Sequence, residues 1–180
     1  MKFTYACMYA GKTTKLITEY FADKHKGIHD VVIKPAIDDR EGSFKGWGWT
    51  ESRLIKTKIP AYYYSNLQEE LPKLSYDKLL IDEAQFMSEE DVKYIASLSL
   101  PVHAYGLKTD MNGHLFTGTA QLLAIADDID EMESLCQIHK CNNKAVAHIC
   151  NQTSKDGVLI EKGNVKFTPV CYKHWREYHG

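Results

Sequence analysis

The sequence predicts an α/β fold, a parallel sheet flanked by helices, with a small zinc-held segment toward its C-terminal end. Three observations predict it. A short strand runs directly into a helix through the turn Ala6-Cys7-Met8-Tyr9-Ala10-Gly11-Lys12-Thr13. Short apolar runs then alternate with helical patterns, as parallel strands joined by crossover helices do. Four of the five cysteines, Cys136, Cys141, Cys150 and Cys171, crowd the last third of the chain, a poor disulfide framework and a reasonable metal framework. With 180 residues, 44% of them hydrophobic, the chain can bury one well-formed core and an appendage.

The elements follow in order. Residues 2–7 read as a strand, and residues 11–26 as a helix with Leu16, Ile17, Tyr20 and Phe21 on one face. Residues 31–33 form the next apolar run, followed by the charged Asp38-Asp39-Arg40. The Gly- and Trp-rich stretch 42–49 has no clear period and is expected to be a mobile loop. Residues 78–82 are an apolar run ending in acid, residues 88–98 a helix capped by Ser88 with Asp91 three positions on, and residues 102–106 another strand. In such sheets ligands gather beyond the carboxyl ends of the strands. A net charge of -2 without a Lys/Arg block argues against a nucleic-acid partner. No apolar run approaches the roughly 18 residues of a membrane span, and no charged-then-apolar leader opens the chain, so a soluble cytoplasmic protein is expected.

Two junctions carry phosphate chemistry. Gly11-Lys12-Thr13 is the second half of a P-loop, in which backbone amides wrap phosphates, Lys12 balances their charge and the Thr13 hydroxyl ligates magnesium. Ala6 stands where the strict pattern opens with glycine. The second junction, Ile81-Asp82-Glu83-Ala84-Gln85-Phe86, delivers two adjacent carboxylates to a strand end. Asp82 suits the magnesium ion, which leaves Glu83 to accept the proton of an attacking hydroxyl. A third set, Cys136-x4-Cys141 with Cys171-x2-His174, supplies three thiolates and an imidazole for a closed, structural zinc site. His139 and Cys150 compete for single places in that set.

Taken together, these segments resemble the type II thymidine kinases, in their bacterial and phage branch. The likeness runs through residues 8–14, 34–40, 81–86, 105–110, 115–118, 122–127 and 170–175. It implies transfer of the ATP γ-phosphate to the 5′-hydroxyl of thymidine, in a salvage route that feeds DNA synthesis. Carried across by position, the resemblance assigns phosphate and magnesium to Ala6, Tyr9, Ala10, Gly11, Lys12, Thr13, Thr14, Arg40, Asp82 and Gln85, and the general base to Glu83. Met8, Phe86, Met111, Phe116 and Phe167 fall at its nucleoside positions, and a lasso loop spanning about residues 156–170 is expected to close over the base.

The implied domains are a nucleotide-binding unit at 1–134 and a zinc and lasso unit at 135–180, in a homodimer or homotetramer. Four departures from the family pattern stand out. Phe167 replaces the usual tyrosine, Met111 replaces an aromatic, and Gln137-Ile138-His139-Lys140 lengthens the first cysteine pair. Asn142 replaces a glycine, for which a left-handed backbone is expected. Two other classes suit the same motifs: a P-loop NTPase driving a partner protein, and a degenerate nucleotide- and zinc-binding module.

Overall fold

The computed structural model describes residues 1–36, 45–152 and 164–180. Seven strands form one sheet: β1 (Lys2–Ala6), β2 (Asp30–Pro35), β3 (Gly46–Ser52), β4 (Thr57–Tyr64), β5 (Lys78–Ile81), β6 (Val102–Leu107) and β7 (Asp128–Met132). Their order is β3-β4-β2-β5-β6-β1-β7. Neighbours run parallel throughout except at one edge, where β3 returns antiparallel to β4.

Side-chain alternation along the central strands feeds two separate cores. Val32, Leu80 and Tyr105 face α1 (Lys12–His25), meeting its Leu16 and Ile17. Val31, Ile33, Leu79, Ile81 and Ala104 face the opposite side. There they pack with Leu67 of the single-turn α2 (Leu67–Glu70), Val92 and Ile95 of α3 (Glu89–Ala96), and Leu122 of α4 (Thr117–Ile125). Burial on both faces explains why these strands read as unbroken apolar runs. The capping box at the start of α3 is present, Ser88 Oγ accepting from the Asp91 amide at 3.0 Å. Tyr20 packs against the α1 core, whereas Phe21 is exposed, because the helical period carries it past the buried stripe.

The expected loop at 42–49 is corrected for its second half, since residues 46–49 open the edge strand β3. Its inward side chains are small, Gly48, Thr50 and Ser52, so the alternation carries no apolar signal. Trp47 and Trp49 point outward, 54% and 50% exposed, with Trp47 edge-on to Tyr62 and the Lys58 ammonium over Trp49. Residues 42–44, with Arg40, lie outside the described residues.

After residue 146 a second sheet begins, the hairpin of β8 (Ala147–Cys150) and β9 (Phe167–Val170), followed by α5 (Tyr172–His179). The expected lasso is therefore part strand: residues 167–170 pair in register with β8, and residues 156–163 fall outside the described residues. Asn142 does not take the left-handed backbone expected of it. Lys140, one residue before Cys141, does, at φ 60°. Trp175 Nε1 donates to the Met111 carbonyl at 3.0 Å, tying α5 to the turn after β6. Among the described residues, no helix is long and apolar enough to cross a membrane.

At the amino ends of the strands, a polar cluster pins α1 to the sheet. Lys78 Nζ donates to Glu19 at 2.6 Å and also to Asp23. His103 lies 2.8 Å from Glu19 and 2.7 Å from the Thr4 hydroxyl, and Tyr105 donates to Glu19. Burial alone would raise the Glu19 carboxyl, but His103, Lys78 and Tyr105 outweigh it and hold the group at about 2. Asp30 beside this cluster has no hydrogen-bond partner on either oxygen among the described residues. Burial, with the nearby Asp23 charge, pushes it up to about 6.

Candidate active site

The turn between β1 and α1 is built to receive an anion. Gly11 caps α1 at φ 86°, a backbone that glycine adopts without a Cβ clash, and Tyr9 also stands left-handed at φ 60°. Among the described residues, no side-chain hydrogen bond caps the helix at Gly11, and the positive end of the helix dipole lies at this turn. Lys12 folds back over the turn, Nζ donating to the Cys7 carbonyl at 3.0 Å. Ala6 is the buried last residue of β1, paired with Leu107 and Met132, and Ala10 lies in the turn.

Asp82 directly follows β5. Thr13 Oγ1 donates to Asp82 Oδ1 at 3.5 Å, and Thr50 Oγ1 donates to Oδ2 at 2.5 Å. Lys34, itself buried, reaches Oδ2 at 3.9 Å. A hydroxyl and a carboxylate on converging elements, 69 residues apart in the chain, are the oxygen donors a magnesium ion prefers. Glu83 follows in a left-handed backbone, φ 55° and ψ 37°. Gln85 Nε2 donates to Glu83 Oε2 at 2.7 Å, while Gln85 Oε1 accepts from the Leu107 amide at 2.9 Å. Gln85 thus ties the second carboxylate to the end of β6. Gly106 makes room for it, since a Cβ there would lie 3.0 Å from the Gln85 amide and carboxamide.

A cavity of about 280 Å³ opens over this point, lined by Met8, Lys12, Thr13, Asp82 and Glu83 from the two junctions and by residues 51–54 of the β3–β4 hairpin. Ser52 Oγ lies 2.6 Å from the Thr14 hydroxyl, which fixes the hairpin against α1. The hairpin side of the cavity, and the contacts of Thr50 and Lys34 with Asp82, carry no signal in the sequence. Thr50 meets Asp82 across 32 residues, and no local pattern marks such a pair.

The five residues expected to hold a nucleoside fall into two groups. Met111 and Phe167 form one buried cluster with Cys150, and Met8 and Val165 pack onto it. Phe86 and Phe116 form the other, edge-on with ring centres 5.6 Å apart. The second group depends on a close approach of α4 to residues 84–87: a Cβ on Gly118 would sit 2.5 Å from the Ala84 carbonyl oxygen.

Cys136, Cys141, Cys171 and His174 converge, their ligand atoms all within 4.8 Å of one another. Cys141 Sγ lies 3.9 Å from Cys171 Sγ, and His174 Nδ1 lies 3.3 Å and 3.4 Å from the sulfurs of Cys136 and Cys171. A tetrahedral zinc ion with Zn–S bonds of about 2.3 Å requires ligand separations of about 3.5–3.8 Å. The set therefore fits zinc, and its four protein ligands leave no position for substrate. The backbone amide of His174, at the start of α5, helps hold the Cys171 thiol below the ordinary thiol range, which favours the thiolate a metal binds. His139 is outside this group, and Cys150 belongs to the Met111 and Phe167 cluster instead.

A parallel sheet whose first strand enters an uncapped helix through a glycine turn, with a carboxylate pair facing that turn, defines a P-loop kinase. A family model, Thymidine kinase, matches residues 1–175, and the chain belongs to that family. Curated relatives agree with the match. The thymidine kinase of Idiomarina loihiensis is 34% identical over 197 residues, covering 99% of this chain and 96% of that protein. The thymidine kinase of Rhizobium meliloti is 34% identical over 190 residues, covering 96% and 94%. The thymidine kinase of Enterobacteria phage T4 is 32% identical over 189 residues, covering 97% and 94%.

Proposed function

We propose that the chain transfers the γ-phosphate of ATP to the 5′-hydroxyl of thymidine, giving thymidine monophosphate for DNA synthesis. The observation that carries this reading is the meeting of Thr13 with Asp82 at 3.5 Å, with Glu83 alongside, in a chain of this family. The amides of residues 9–13 and the Lys12 ammonium take the phosphate chain, with Ala6, Ala10 and Thr14 shaping the turn around them. Thr13 and Asp82 hold magnesium, which supplies charge neutralisation across the phosphates when bound. Glu83 accepts the proton of the 5′-hydroxyl as its oxygen bonds to the γ-phosphorus and the bond to ADP breaks. Gln85 serves this step by orienting Glu83, and Arg40 serves the phosphates.

Met8, Met111 and Phe167 on one side, with Phe86 and Phe116 on the other, form apolar walls suited to a flat base. Zinc holds the segment 135–180 as a unit beside the nucleotide-binding unit 1–134. The working protein is a cytoplasmic homodimer or homotetramer. The test is ADP release from purified protein with ATP and magnesium, with and without thymidine. Release that depends on thymidine supports the reading. Release without nucleoside indicates an NTPase that serves a protein partner, and no release indicates a degenerate module.

A further inference from the structure

The β8–β9 hairpin has two chemically different faces. Cross-strand partners share a face, so Ala147 with Val170 and Ile149 with Thr168 point one way, while His148 with Pro169 and Cys150 with Phe167 point the other. The first face covers the zinc ligands, where Val170 and Ile149 pack around Cys136, Cys141 and Cys171. The second turns toward the kinase site, where Cys150 and Phe167 pack against Met111 and Met8. On that second, otherwise apolar face stands a histidine.

His148 is only 3% exposed, and its ring lies edge-on to Phe167 with centres 5.5 Å apart. Its Nδ1 is buried and has no hydrogen-bond partner among the described residues. Burial, with the Lys12 ammonium adding to it and Asp110 opposing, pushes the imidazole down to about 4, so the ring is neutral at physiological pH. Lys12 belongs to the phosphate turn and Asp110 to the turn that carries Met111, so the field His148 feels is that of the site itself. An unsatisfied buried nitrogen costs stability that an apolar side chain of the same size would retain. A neutral imidazole offers at Nδ1 either a donor or an acceptor, depending on tautomer, which matches the N–H and carbonyl groups along one edge of a pyrimidine-dione.

We propose that His148 is a specificity-determining residue, whose Nδ1 hydrogen-bonds the polar edge of the pyrimidine base held between Met8, Met111 and Phe167. The proposal rests on the kinase reading above and assigns that apolar pocket its polar contact. A site built to hydrogen-bond a substrate group rejects analogues that lack the matching group.

The experiment is steady-state kinetics of the full-length, zinc-loaded wild type, His148→Leu and His148→Asn with thymidine, deoxycytidine and ATP, together with melting temperatures. His148→Leu is expected to raise the thymidine KM about tenfold or more and to lower the thymidine over deoxycytidine ratio of kcat/KM to a similar degree. The KM for ATP should stay within about twofold, and the melting temperature should not fall, because an unsatisfied polar group has been removed. His148→Asn, which keeps a polar atom near the Nδ1 position, should recover most of the loss. An active wild type whose Leu variant keeps its thymidine KM and discrimination overturns the proposal alone. So does a variant whose thymidine and ATP constants rise together with a fall in melting temperature, which marks a packing role. A wild type inert toward thymidine overturns the kinase reading and this proposal with it.

Discussion

Replacing Asp30 by asparagine is expected to stabilise the protein, and the size of the gain follows from the burial of the carboxyl. Asp30 is 6% exposed at the start of β2, with no hydrogen-bond partner on either oxygen among the described residues, and its carboxyl is pushed from 3.8 up to about 6. A carboxyl raised on folding favours the native state below its unfolded value, and that contribution is lost as pH rises through the folded value. Between about pH 4 and pH 6 the native chain therefore acquires an ionisation cost that grows to about 3 kcal/mol by pH 7, since each tenfold change in a proton equilibrium is worth about 1.4 kcal/mol. Asparagine has the same shape and cannot ionise. Allowing for the unpartnered amide it leaves behind, Asp30→Asn should gain about 1–3 kcal/mol at pH 7.5, falling to less than about 1 kcal/mol near pH 4. Urea unfolding of both proteins across that range reads the difference directly, and at pH 7.5 the melting temperature should rise by roughly 3–10 °C. Kinetic constants should not change, because Asp30 lies at the end of the sheet opposite Asp82. Equal stabilities at pH 7.5, or a gain that does not depend on pH, would refute the reasoning.

Glu83→Gln should slow thymidine-dependent turnover about 100-fold or more while ATP binding, measured by equilibrium dialysis with magnesium, stays near wild type; unchanged turnover removes Glu83 from the role of base. Gly118→Ala places a methyl 2.5 Å from the Ala84 carbonyl oxygen and should cost about 1–3 kcal/mol in denaturant unfolding, with turnover falling as residues 84–86 shift; unaltered stability would show that α4 can move away. Metal analysis should find roughly one zinc per chain in the wild type and none in Cys171→Ser; zinc retained at full occupancy in the variant would place the ion on other ligands. Between about pH 4.5 and pH 2 the protein should lose about 2–3 kcal/mol as Glu19, held at about 2, takes up its proton; Glu19→Gln should remove that acid slope, and an unchanged slope would assign it elsewhere.

Several features were legible in the chain because their signals are local. Gly11-Lys12-Thr13 follows closely on a strand, Asp82 and Glu83 end an unbroken apolar run, and the paired spacings of Cys136, Cys141, Cys171 and His174 mark a candidate ligand set, from which the structure leaves out His139 and Cys150. Ser88 with Asp91 is a helix start that spans only three residues. Where the signal was weak, the reading failed for identifiable reasons. The edge strand β3 buries only Thr50 and Ser52 and displays Trp47 and Trp49, which inverts the pattern that marks a strand. The left-handed residue expected at Asn142 is Lys140 instead, a difference of two positions that no residue-type preference marks in the sequence.

By itself, the sequence determined the kind of fold and where chemistry-bearing residues gather: a glycine turn entering a helix, two carboxylates after a strand, thiolates spaced to converge, and the runs that lie inside. These are properties of a few neighbouring residues, set by side-chain chemistry and by backbone periods of two and 3.6. Only the tertiary structure decided that Thr50 and Lys34 hold Asp82, that Gln85 bridges Glu83 to Leu107, and that His148 stands on the hairpin face turned to the kinase site. Each of those contacts joins elements whose adjacency depends on strand order and hairpin register. Many residues across the chain set these together, through the burial they share, and no short segment encodes them.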